Sequence, residues 1–422
     1  MDRLLYDFVL KRLILFLTIA SQILLSSAVQ AFDIANVHSF VYQLQDISLD
    51  AIGRTGFDLV IVDYSSDGTS NGEFSREQIS ALQQSAPSGK IVLAYLSIGE
   101  AENYRFYWKK EWKPGTPAWI ESVNPDWPGN FKVRYWDPAW WAIVKEYLNR
   151  ILRAGFDGVY LDVIDAYEYF QDRGRTIAAR EMIALIDSIR TRAKSFDTDF
   201  LVFVQNASEL VQTNPDYMKA IDGIGQEDLY FGYEQDGKAT PTEITAGWEQ
   251  NLRLFKDSGK LVLTVDYPFD SSENVPHFDP STRAKIDQAY SRSRANGFLP
   301  YCTLRNLNYL TINPGYEATD VRIETNRSAP PGFELHSNYP NPFNPGTTIR
   351  LDVPKPCRIR LVVYDLLGKR VRVLLDGEMP AGRHRLHWDG LDGNGTPLST
   401  GLYICRMDAD GFSFSRRMAL VR

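Results

Sequence analysis

A chain of 422 residues has room for one large domain and a smaller one, since an α/β barrel alone commonly takes roughly 250 residues. Its composition, 44% hydrophobic and 23% charged with both signs mixed, is that of a folded globular protein and excludes a low-complexity or disordered chain. The net charge is −7, and three cysteines are too few for disulfides to be the scaffold.

Lys11 and Arg12 precede an apolar stretch from Leu13 to Leu25, and small residues lead to Val29, Gln30 and Ala31. This is a signal-peptide layout over residues 1–31, with a cut after Ala31. A membrane anchor is the competing reading, but Thr18, Ser21 and Gln22 interrupt a run already shorter than the ~20 residues of a span. Export with cleavage is therefore expected, and no transmembrane segment in the mature protein.

From His38 to Leu304 apolar runs of strand length alternate with amphipathic runs of helical length, the signature of βα units on a parallel sheet. The strands read as Phe40 to Gln45, Phe57 to Asp63, Ile91 to Ser97, Phe156 to Asp162, Phe200 to Gln205, Gly223 to Glu227, Leu261 to Asp266 and Phe298 to Leu304. Helical patterns run over Arg76 to Gln84, Pro138 to Ala154, Thr176 to Lys194, Ala207 to Ala220, Thr242 to Ser258 and Ser281 to Ala295. Asp137 before Pro138 reads as an N-cap, and Gly155 and Gly297 as C-terminal stops. Eight strands, each apolar almost throughout, predict a (β/α)8 TIM barrel over residues 32–314 rather than an open doubly wound sheet.

Pro330, Pro331 and Gly332 close a linker over 315–332. Beyond it come short strands separated by Gly, Pro, Asn and Asp turns: Arg358 to Tyr364, Arg370 to Leu375, His384 to Trp388, Leu402 to Met407 and Phe412 to Leu420. Residues 333–422 thus predict a small all-β, Ig-like sandwich. With thirteen Lys and Arg against nine Asp and Glu it is net basic by 4, which leaves the barrel clearly acidic. Cys357 and Cys405 could pair there, whereas Cys302 reads as a buried thiol.

Barrel active sites are built at the C-terminal ends of the strands, so the polar residues ending each apolar run carry the information. They are carboxylates: Asp63 after strand two, Glu100 and Glu102 after three, Asp162 and Asp165 after four, Glu227 and Asp228 after six, and Asp266 after seven. Gln43, Gln45, Gln205, Asn206 and Tyr267 add hydrogen-bonding groups on the same rim. One acidic residue at a strand end is ordinarily a cap or a solvated charge. Several converging on one mouth cannot all ionise cheaply, which suits a proton donor beside an anionic nucleophile or base. Glycosidic bond cleavage needs such a pair.

Other chemistries lack their residues. The barrel's histidines, His38 and His277, end no strand, so no metal and no cofactor are expected; Lys90 and Lys260 stand at strand starts, away from a Schiff-base position. No Gly-rich loop follows a strand, and no nucleic-acid partner is expected. Trp108, Trp112, Trp119, Trp127, Trp136, Trp140 and Trp141 fall between strands three and four, where flat rings suit sugar faces, although about half are expected simply to fill the core.

At these residues the chain resembles the polysaccharide hydrolases related to endo-α-1,4-polygalactosaminidases, the glycoside hydrolase family 114-like barrels. The matching strings are Ala94-Tyr-Leu-Ser-Ile-Gly-Glu-Ala-Glu102 with Tyr104-Arg105 and Tyr107-Trp108, then Tyr135-Trp-Asp-Pro138, Gly155-Phe-Asp-Gly-Val-Tyr-Leu-Asp162, Gln205-Asn206 and Gly223-Ile-Gly-Gln-Glu-Asp228. The resemblance implies that Asp162 and Glu227 are the catalytic carboxylates cleaving an α-linked amino-sugar polymer, with Asp162 expected as nucleophile and Glu227 as general acid/base of a retaining reaction. It implies a substrate site shaped by Asp63, Tyr95, Glu100, Arg105, Asp165, Asn206, Asp266 and Tyr267. An acidic cleft would attract a cationic, deacetylated amino sugar. A catalytically inactive carbohydrate-binding barrel displayed at the cell surface is the alternative.

The tail resembles a type IX secretion sorting domain of the FlgD-like immunoglobulin type. The motifs are Asn338-Tyr-Pro-Asn-Pro-Phe-Asn-Pro-Gly-Thr-Thr-Ile349, Tyr364-Asp-Leu-Leu-Gly368, Gly382-Arg-His384, Trp388-Asp-Gly390 and Gly401-Leu-Tyr403. That resemblance implies recognition by type IX secretion machinery and a place outside, or on the outer surface of, a Gram-negative bacterium, reached through the periplasm. An accessory sandwich that binds carbohydrate is the competing reading.

Overall fold

The computed structural model describes residues 34–86, 89–214, 216–316, 322–324, 332–344, 346–379, 381–393 and 396–422. The signal peptide expected over residues 1–31 lies outside them. Ile34–Asn36, one 3-10 turn, belong to a first unit, and Val37–Arg422 form the second.

The second unit opens with eight strands: β1 (Phe40–Gln43), β2 (Leu59–Asp63), β3 (Ile91–Ser97), β4 (Gly158–Asp162), β5 (Leu201–Gln205), β6 (Gly223–Glu227), β7 (Leu261–Asp266) and β8 (Leu299–Cys302). Each pairs in parallel with its sequence neighbour, in one sheet ordered from first to last. At the seam Phe40 meets Tyr301 with ring centroids 5.5 Å apart, and the N–H groups of Leu44 and Gln45 both donate to the Leu307 carbonyl, at 2.9 and 3.1 Å. The fold is a nearly closed TIM-like barrel. A sheet without a reversal of strand order has no switch point, which separates it from the doubly wound alternative. The apolar runs are unbroken because both faces are covered: Leu59 to Val62 and Ile91 to Leu96 are buried throughout.

Side-chain volume inside the barrel is unevenly shared. A Cβ on Gly225 would lie 1.9 Å from the Tyr160 hydroxyl, and one on Gly223 would lie 2.1 Å from the Phe203 ring. β6 therefore contributes backbone, while β4 and β5 contribute the aromatic filling. Gly225→Ala should destabilise by about 1–3 kcal/mol through overpacking, read from urea unfolding. Gly247→Ala, on the helix Thr242–Asp257 with nothing within 4 Å of the new Cβ, should instead stabilise by roughly 0.5–1 kcal/mol.

The helices follow the expected pattern with one exception. Asp137 accepts from the Ala139 N–H at 2.8 Å ahead of Pro138–Ala154, and Gly155 ends that helix at φ 81°. The single helix expected over Ala207 to Ala220 is two short turns, Leu210–Thr213 and Tyr217–Ala220. Asn214 between them sits at φ −135°, ψ 84°, because the residue before a proline, here Pro215, is pushed out of the helical region. Between β3 and β4 the chain builds an antiparallel sheet from Glu100–Glu102, Asn130–Val133 and Ile120–Val123.

After the barrel come two antiparallel four-stranded sheets. One orders Arg322–Glu324, Gly382–Trp388, Thr347–Val353 and Glu334–Leu335, and the other Arg370–Met379, Cys357–Asp365, Gly401–Ala409 and Phe412–Leu420. The expected linker over 315–332 thus contributes a strand, Arg322–Glu324, paired to Gly382–Trp388. Leu351, Leu361, Leu386, Trp388, Met407 and Met418 are among the side chains of their shared core. Cys405 is opposite Val363 and Cys357 opposite Met379, so the register separates the two thiols and no disulfide joins them.

Candidate active site

A cavity of about 750 Å³ opens at the C-terminal ends of the barrel strands. Asp162, Glu227, Asp63, Tyr95, Glu100, Arg105, Asp165, Asn206 and Tyr267 line it. Asp266 does not, which corrects its expected place in the substrate site. Leu263, Val265 and Tyr267 alternate with it along β7, and the hydroxyl of Tyr267 reaches the cavity carboxylate Glu227. The Asp266 side chain therefore projects from the other face, where it is fully buried and accepts the backbone N–H groups of Tyr230 and Phe231 at 2.6 and 2.8 Å.

The register puts the two principal carboxylates on one face. Leu161 pairs with Val204 and Gln205 with Gly225, so Asp162, Gln205, Gly225 and Glu227 share the barrel-interior side, with one strand, β5, between the acids. Asp162 accepts from the Tyr95 hydroxyl and from the Val163 N–H, both at 2.6 Å. Glu227 accepts from the Gln205 amide and the Tyr267 hydroxyl. Gln205 is fixed in turn by the Tyr42 hydroxyl at 3.0 Å, and the Asn206 amide oxygen receives the Glu227 N–H at 3.0 Å. The residues just after these strands, Val163, Asn206 and Asp228, all lie at φ 57–60°. For a β-branched valine this is an outlier, held here by packing that includes Gly99, whose Cβ would collide with the Val163 carbonyl at 2.1 Å.

Burial, followed by the negative charge of Glu227, pushes Asp162 up to about 8. Burial, followed by the charge of Asp228, pushes Glu227 up to about 7. Two adjacent buried acids of this kind give up their protons in separate steps, so near neutrality the pair retains a proton while offering an ionised partner.

The remaining polar groups form supporting clusters. Arg105, fully buried, contacts Asp63 at 2.9 and 2.7 Å and Glu102 at 2.6 Å. Burial raises Asp63 to about 6 despite that cation. Glu100 accepts from Asn124 at 3.0 Å and from Lys132 at 3.3 Å. Asp165 lines the cavity and does not cap the helix that follows it, and burial raises its proton affinity. In all, eight carboxylates and three cations line the cavity.

Arg305, beyond β8, was not legible as a site residue. It donates to Asp228 at 2.6 Å, to Asp236 at 2.6 Å and to the Gly232 carbonyl at 2.9 Å, and its guanidinium lies 4.1 Å from the Tyr267 ring centroid. It therefore braces the ring whose hydroxyl holds Glu227. Because its positive charge lowers the proton affinity of Glu227, Arg305→Met should move the basic limb of the pH–activity profile upward, with Arg305→Lys in between. An unchanged profile would remove Arg305 from the electrostatics of the pair.

Of the seven tryptophans between β3 and β4, Trp127 lines the cavity and is about half exposed. Trp108, Trp112, Trp119 and Trp140 pack on one another or on Phe131, and Trp136 stacks with Arg175. Among the described residues the one group of three side chains spaced to hold a metal ion, Glu334, His336 and Asp352, is on the sandwich.

Residues 24–319 match the family model described as glycoside-hydrolase family GH114, and residues 342–411 match that of the FlgD Ig-like domain. The uncharacterized protein MJ1477 of Methanocaldococcus jannaschii is 37% identical over 271 residues, covering 62% of this chain and 74% of that protein. An uncharacterized protein of Deinococcus radiodurans is 39% identical over 268 residues, 63% of this chain and 79% of its own length. The solved glycoside hydrolase domain of PelA from Pseudomonas aeruginosa superposes with a TM-score of 0.50 at 14% identity, over 66% of this chain and 99% of that one, a likeness of fold.

Proposed function

The chain belongs to glycoside-hydrolase family GH114 and is a glycoside hydrolase; from that premise we propose that it cleaves an extracellular polysaccharide containing amino sugars, an α-1,4-linked galactosamine polymer, with Asp162 and Glu227 as the reacting carboxyls. The observation that carries this reading is their convergence: two buried acids, on β4 and β6, line one cavity and are each held by two hydrogen-bond donors.

In the proposed retaining sequence Asp162 attacks the anomeric carbon as Glu227 donates its proton to the glycosidic oxygen, so the leaving chain departs as an alcohol. Glu227, now ionised, takes a proton from water, whose oxygen displaces Asp162 and restores both groups. Burial raises both acids, Asp162 to about 8 and Glu227 to about 7, so the sequence starts from the less populated arrangement of the pair, ionised Asp162 beside protonated Glu227, in which Tyr95 and the Val163 N–H donate to the anion. The excess of carboxylates over cations favours an amine-bearing sugar over its neutral N-acetylated form.

Incubation with partly deacetylated and fully N-acetylated galactosamine polymers should give new reducing ends from the first and few from the second. Equal release from both would contradict the charge-based preference. The C-terminal sandwich, through its FlgD Ig-like segment and the Asn338 to Ile349 motif, is proposed to direct the protein through type IX secretion to the outside of the cell. Deleting Phe333 onward should then leave the barrel in the periplasm.

A further inference from the structure

A second cavity, of about 240 Å³, adjoins the first and shares with it Gln45, Trp127, Tyr267, Arg305 and Asn306. Five common wall residues make the two spaces neighbouring stretches of one groove, with Trp127 and Arg305 at the junction. The distal stretch has an apolar floor, Phe269 and Leu304, both buried. Its rim is polar. Asp270 accepts the N–H and hydroxyl of Ser272 at 2.9 and 2.7 Å, and Glu273 accepts the His277 N–H at 2.9 Å, so the 270–277 segment holds its own shape as the outer wall. Arg305 brings no net positive charge to the junction, because Asp228 and Asp236 both pair with it.

We propose that this second stretch is a further sugar-binding subsite, taking an amino-sugar residue of the same polymer beyond those seated at Asp162 and Glu227. The inference rests on the hydrolase reading for its substrate. An apolar floor with a hydroxyl-bonding rim is what one face and the edge of a sugar ring require. The exposed indole of Trp127 supplies a flat surface on the path between the two spaces, and Asp270 and Glu273 supply negative charge toward an ammonium. A site extended in this way gains from internal segments of a chain, so longer oligomers are better substrates than short ones.

The test is a chain-length series of α-1,4-linked galactosamine oligomers on the full chain, comparing wild type with Asn274→Trp, which places an indole in the second cavity, and with Asn274→Ala, which does not fill it. For wild type kcat/KM should rise with length, and Asn274→Trp should reduce the ratio of long-oligomer to short-oligomer kcat/KM about tenfold, with Asn274→Ala close to wild type. Oligomer binding to Asp162→Asn, with and without Asn274→Trp, separates this claim from the hydrolase reading. Affinity that grows with length and is lost on blocking upholds the subsite even if no bond is cut. A ratio and an affinity indifferent to Asn274→Trp, or no gain with length, overturn it.

Discussion

Arg105→Met is expected to cost about 3–5 kcal/mol of folding stability, the range for removing one partner of a buried charge cluster. Arg105 is buried against Asp63 and Glu102, with the rings of Tyr104, Tyr147 and Tyr64 centred 4.8, 5.5 and 5.7 Å from its guanidinium carbon. Methionine leaves two carboxyls facing each other with no cation between them. Asp63 already titrates near 6 with the arginine present, and it moves further up without it. The unfolded chain ionises near 4, so this cost is small at pH 4, grows once pH passes the folded-state value, and is larger at pH 8. Chemical denaturation at the two pH values measures it. An equal deficit at both would assign the loss to packing alone.

Asp162→Asn and Glu227→Gln should each lower turnover by about 10³-fold or more, with little further loss when combined, because residues acting as one unit are not additive. The same variants should be more stable than wild type, not less. Asp162 titrates near 8 when folded and near 3.9 when unfolded, so its ionisation weighs against the folded state increasingly across that interval. The neutral asparagine escapes this. Asp162→Asn should melt with wild type at pH 4 and several degrees above it at pH 8. A variant less stable at pH 8 would make Asp162 a structural carboxylate.

The barrel was legible because strands buried on both faces must be apolar end to end, so the acids that break the pattern mark where each strand leaves the core. That logic located Asp63, Asp162 and Glu227. It misplaced Asp266, where the alternation of faces along β7 outweighs position at a strand end. The Ala207 to Ala220 pattern was apolar enough for a helix, but Pro215 decided the backbone. Arg305 was invisible because its partners, Asp228 and Asp236, are 77 and 69 residues away and meet it only when the barrel closes. The aromatic segment between β3 and β4 pointed to sugar contact as a group, yet most of its tryptophans pack on neighbouring side chains and Trp127 faces the cavity.

The most direct measurement is the number of reducing ends released over time from a deacetylated galactosamine polymer by wild type and by the Asp162→Asn/Glu227→Gln double variant. Steady release by the first and none above buffer by the second is the predicted result. Cleavage by the double variant at the wild-type rate would mean that the bond is broken by other groups than these two acids.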